Sequence, residues 1–155
     1  MLYRLGVDHP WRDDAAAYCW RQLELGHPVS DAHELSEVLV FLEHVPDRDR
    51  AGKHASALAA TLADVPMLQL DPAAEGYGLT PLHFAPEPGS RWRSLFTDGQ
   101  LSSHLDKLLA SQQPDGGWPL SWDPPSEASV LEWRGMVTLR ALLTATAYGR
   151  IAAPA

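Results

Sequence analysis

The side chains able to do chemistry fall in a few short runs. The densest carboxylate runs are Asp13-Asp14 and Asp47-Arg48-Asp49-Arg50, the places to look for a proton-delivering acid or a magnesium-binding pair. Both stand where helices start, and the positive end of the helix dipole accounts for acids there. His33 and Glu37 are four residues apart on one helix face, with His44 near the same azimuth. At the helical rise, His44 lies about 16 Å along the axis from His33, beyond one coordination sphere, so no metal site and no cofactor are expected. Cys19, the only cysteine, lies between Tyr18 and Trp20 and reads as a buried, inert thiol. Ser103, His104 and Asp106 share one helix and cannot take triad geometry through adjacent positions. There is no Gly-rich phosphate loop, no Gly-x-Ser-x-Gly and no His-Glu-x-x-His. His83, Trp92 and Trp122 fall outside the long helices and are the candidates to line a cavity, whereas helix packing explains Trp11, Trp20 and Trp133. Glu132 and Arg134 flank Trp133 and read as a surface pair on the last helix.

The elements that must position these residues are helical. Pro10 to Leu25 has proline in its first turn, early acids and Gly26 as a stop. A second helix follows Pro28, capped by Ser30 or Asp31, carries Leu35, Val38, Leu39 and Leu42 as a stripe, and ends by Pro46. A third begins near Asp47 and runs through Ala51 to Ala63; short proline-marked turns between the three imply antiparallel packing. From Asp64 to Thr97, prolines 66, 72, 81, 86 and 88 with glycines 76, 78 and 89 interrupt any long helix. Met67–Leu70 and Tyr77–Thr80 are candidates for a small hairpin there. Helix resumes at a capping box, Thr97 to Gln100, with Leu101, Leu105, Leu108 and Leu109 on one face. The last helix spans Ser126 to Tyr148 and is closed by Gly149, and the tail from Ile151 to Ala155 is expected to fray.

The 155 residues fit one domain over 1–155, with an irregular segment at 64–97. Twelve Lys+Arg against 20 Asp+Glu give a net charge of -8, which argues against a nucleic-acid partner. A lone cysteine, no signal-like start and no apolar run of about 18 residues suggest a cytoplasmic protein with no integral membrane segment.

One motif is distinctive: the segment Leu108 to Trp118, in which a helix end meets Gln113-Pro114-Asp115-Gly116-Gly117-Trp118. It resembles the QW-type repeat of the terpenoid cyclase and protein prenyltransferase superfamily, the squalene-hopene cyclase-like α/α toroids. That resemblance implies that Gln113, Asp115, Gly116, Gly117 and Trp118 are structural fasteners, with the Gln and Trp holding adjacent hairpins together. It also implies an all-α fold of antiparallel helical hairpins amounting to about half a toroid. Half a ring leaves an apolar concave face, which a second copy or a partner protein should cover, with an isoprenoid-like ligand enclosed. The family's chemistry uses an Asp-x-Asp-Asp acid, an Asp-Asp-x-x-Asp metal motif, or zinc on Asp, Cys and His, and none of these patterns occurs here. The reading that follows is a non-catalytic scaffold. The alternative is a small cyclase-like or prenyltransferase-like enzyme acting on an isoprenoid, with Asp13, Asp14 or Glu132 as its acid.

Overall fold

The structure, a computed structural model, describes residues 2–152. It is all-helical: α1 (Pro10–Glu24), α2 (Ala32–His44), α3 (Arg48–Ala60), α4 (Pro81–Phe84), α5 (Asp98–Ala110) and α6 (Glu127–Ala147), with 3₁₀ turns at Leu62–Asp64 and Arg93–Leu95. Where the sequence suggests one core, the chain gathers into two compact units, Met1–Pro66 and Met67–Ala155. The part of the tail expected to fray that spans 153–155 lies outside the described residues.

In the first unit each helix end is closed by a local device. The His9 ring accepts from the Trp11 amide at the start of α1, and Asp31 accepts from the His33 and Glu34 amides at the start of α2. At the other end of α2, one Arg48 nitrogen donates to the carbonyls of Leu42, Glu43 and Val45 at 2.8, 3.0 and 2.9 Å. Those are terminal carbonyls with no partner inside the helix, so Arg48 caps α2 while starting α3. Leu35, Leu39, Leu42 and Val45 are almost wholly buried and form the core with Ala51, Leu62 and Val65. Trp20 closes one side, edge-on to Phe41 with ring centroids 5.0 Å apart. Cys19 is half-buried, which corrects the expectation of a buried thiol: Ala16 and Trp20 take the inward face of α1, and residue 19 falls at its margin.

The second unit is built on α4, α5 and α6. Met67–Leu70 and Tyr77–Thr80 do meet, though in parallel. The Leu79 amide donates to the Met67 carbonyl (2.8 Å) and the Gln69 amide to the Leu79 carbonyl (2.9 Å). The expected hairpin is therefore corrected to a single bridge. The intervening loop turns far enough to bring the second segment back in the same direction, and the side-chain amide nitrogen of Gln69 holds it by donating to the Gly76 carbonyl at 3.1 Å. Pro81 opens α4, a short turn buried through Leu82 and Phe84, and Phe84 packs against Phe96 with centroids 5.7 Å apart. The capping box at Thr97 forms as the sequence predicts, with Thr97 accepting from the Gln100 amide and Gln100 from the Thr97 amide. Leu101, His104 and Leu105 face inward on α5, and α6 ends at Gly149, whose φ is 66°.

Candidate functional site

Residues 113–118 form a densely hydrogen-bonded reversal between α5 and α6. Gln113 and Gly116 close the turn: the Gly116 amide donates to the Gln113 carbonyl and the Gln113 amide to the Gly117 carbonyl, each at 2.8 Å. Gly116 has a φ of 84°, a conformation that favours glycine. At Gly117 the constraint is space, since a Cβ there would stand 2.8 Å from an Arg134 nitrogen. Asp115 accepts from the Gly117 amide at 3.1 Å and takes both oxygens to Arg134 at 2.8 Å. That single Arg134 nitrogen shared between both oxygens, helped by the Gly117 amide, holds the Asp115 carboxyl below the usual carboxylate range.

Trp118 is the pivot. Its side chain is 3% exposed, and the indole N–H donates to the Leu108 carbonyl at 2.7 Å, on the last turn of α5. Its backbone amide donates to Thr138 Oγ1 at 3.1 Å and its carbonyl accepts from Arg134 Nε at 3.4 Å. Arg134 and Thr138 are one turn apart on α6, so a single residue joins the end of α5 to one side of α6. Gln113 departs from what the resemblance implies. Its amide nitrogen bonds the Ser111 carbonyl within its own turn (3.2 Å), and it reaches no other hairpin among the described residues. The neighbouring Gln112 likewise stays local, donating to the Gly116 carbonyl at 2.9 Å.

Of the three cavity candidates, Trp122 borders an open groove of about 540 Å³ beside the reversal, together with Gln113, Asp115, Val130 and Arg134. It is the middle of an aromatic ladder, edge-on to Tyr77 at 5.9 Å and to Trp133 at 5.5 Å. Trp92 does not border that groove. Its indole nitrogen is buried without a partner, and the Arg91 guanidinium lies 5.4 Å from the ring centroid. His83 is exposed and caps α4, its Nδ1 accepting from the Thr80 amide at 3.1 Å. Trp11 is exposed on the side of α1 opposite Ala16 and Trp20, so helix packing explains Trp20 but not Trp11; Trp133 is partly exposed, stands near buried Thr144 in azimuth and packs edge-on against Trp122.

The remaining candidates stay apart. Arg12 donates to Asp13 at 2.8 Å and draws its carboxyl below the usual range, the opposite of what a proton-delivering acid requires. Asp47 caps α3 through the Arg50 amide, and Arg50 lies over the Trp20 ring, 4.2 Å from its centroid, while pairing with Glu24. His33 lies 3.6 Å from Asp31 at the start of α2, and His44 donates to the Val40 carbonyl at 2.9 Å. Among the described residues no cluster of His, Cys, Asp and Glu is arranged to hold a metal ion, and no helix is long and apolar enough to cross a membrane. Glu132 is exposed, and its expected neighbour Arg134 turns to Asp115 instead.

Two residues were not legible from the sequence as parts of this arrangement. His104 is 4% exposed and its Nε2 donates to the Leu70 carbonyl at 3.2 Å, tying α5 to the irregular segment. Thr138 carries no motif; its only signal is its place four residues beyond Arg134. No family model, no curated protein and no solved structure matches the chain.

Proposed function

We propose that this chain is a non-catalytic helical scaffold whose second unit holds α6 out for docking. The observation that carries the reading is the imbalance of α6. Of its 21 residues only Ala141, Thr144 and Ala145 are buried, while Leu131, Leu139 and Leu143 are each more than half exposed. Large apolar side chains gathered on one helix mark an interaction surface far more often than an idle one. The Trp118 junction is the device that orients that helix, which gives the motif a mechanical role without any chemistry at Asp115. The likeness of the α5–reversal–α6 hairpin to the cyclase repeat supports placing it in a partial α/α toroid, where such a face turns toward a neighbouring surface or an apolar isoprenoid-like ligand. The enzymatic alternative has less behind it, because Asp13 is drawn toward its charged form.

Leu139→Glu and the double variant Leu139→Glu/Leu143→Glu test this by urea unfolding at two protein concentrations about a hundredfold apart. A docking face tolerates them: helicity and the midpoint at the lower concentration stay at the parent's values. A concentration-independent loss above about 2 kcal/mol, the signature of charge forced into a packed core, overturns the reading.

A further inference from the structure

The open side of α6 is specific enough to name its occupant. Leu131, Met136, Leu139, Leu142 and Leu143 are 68%, 46%, 52%, 39% and 61% exposed. At the helical angle per residue they share one side, turned away from buried Ala141 and Thr144. Gly135 lies in the middle of that side, and a Cβ built on it meets nothing within 4 Å. A glycine inside a helix weakens it, and the packing of the second unit gives no reason for one there. The close crossing of a second helix does.

Two charged residues belong to this side: Glu132 stands within it, between Leu139 and Leu143 in azimuth, and Arg140 lies at its edge beyond Met136, eight positions from Glu132 and about 12 Å along the axis. Among the described residues neither joins an ion pair. A helix laid antiparallel on α6 about a twofold axis near Met136 sets each Glu132 against Arg140 of the partner subunit and brings Gly135 to the crossing point. A parallel helix in register would oppose like charges instead. The five apolar side chains expose roughly 500 Å², and Glu132, Arg140 and Thr146 bring the face close to the roughly 600 Å² per partner at which specific interfaces begin.

We propose that the occupant is a second copy of this chain, packed antiparallel along α6. The proposal rests on the docking reading above and adds the partner and its register. Sedimentation velocity between about 1 and 100 μM tests it. The parent chain sediments as a dimer at the upper concentration and dissociates on dilution. Glu132→Arg and Arg140→Glu each weaken association about tenfold, and the double variant Glu132→Arg/Arg140→Glu restores it to within about threefold. Gly135→Leu removes the dimer and leaves far-UV helicity intact. A dimer that the double variant fails to restore overturns the antiparallel register. A monomer throughout, with stability indifferent to Leu139→Glu, overturns the second copy and leaves the docking reading standing. A monomer that Leu139→Glu destabilises overturns both.

Discussion

Truncating Trp118 is the sharpest test of the junction between α5 and α6. The ring is 3% exposed, so Trp118→Ala empties a packed site and is expected to cost about 3 to 5 kcal/mol. About 1 kcal/mol of that belongs to the indole hydrogen bond to the Leu108 carbonyl. No orphaned acceptor adds to the loss, because the same carbonyl still accepts from Ser111 Oγ at 2.7 Å. Trp118→Phe, which keeps most of the ring and loses the N–H, is therefore expected to cost only about 1 to 2 kcal/mol. With a urea dependence of about 1 to 3 kcal/mol/M, the far-UV midpoint falls by roughly 2 M for alanine and by under about 1 M for phenylalanine. Hydrogen exchange locates the damage: amides on the last turn of α5 and around Thr138 lose protection first. A loss below about 1 kcal/mol for Trp118→Ala, or exchange that spares the end of α5, refutes the claim that this residue joins the helices.

The capping box and the buried histidine give two further tests. Thr97→Ala removes the oxygen that accepts from the Gln100 amide at 3.1 Å and is expected to lower stability by about 1 kcal/mol, with Thr97→Ser recovering most of it in the same urea titration. Burial lowers the His104 pKa from its ordinary value of 6.5, opposed in part by the Leu70 carbonyl that its N–H meets. The folded state thus favours the neutral ring. Its contribution is fully present above pH 6.5 and is lost as pH falls through the lower folded value, because the unfolded chain takes the proton first. His104→Gln keeps a donor and removes the titration, so its urea midpoint should fall less between about pH 7.5 and 5 than the parent's. Equal slopes would show that His104 is protonated as readily inside the fold as outside.

Local signals were legible and distant ones were not, for a physical reason. Pro10, Asp31, the Thr97 and Gln100 box and Gly149 each act on backbone groups within a turn of themselves, so sequence order alone places them. Arg134 illustrates the opposite case. Glu132 stands two positions away and points to a different side of the helix, whereas Asp115, 19 residues back, is brought under the guanidinium by the reversal at Gly116. The parallel bridge at Leu68 and Leu79 escaped for the same reason, since the direction in which a loop returns depends on its torsions and not on the apolar pattern at its ends.

The least legible element is α6, and the cause bears on function. Val130, Leu131, Trp133, Met136, Val137, Leu139, Leu142 and Leu143 are spread around much of the cylinder, so periodicity does not choose a buried side. A helix apolar on several sides is expected to be covered on several sides. The chain covers one of them, fixing it through Arg134, Thr138 and Trp118. The other keeps its leucines exposed around a glycine that no contact within the second unit requires, with Glu132 among them and Arg140 at their edge. Composition and structure agree about this helix only if a second surface completes it, and an antiparallel copy of α6 answers the apolar area, the glycine and the two charges together.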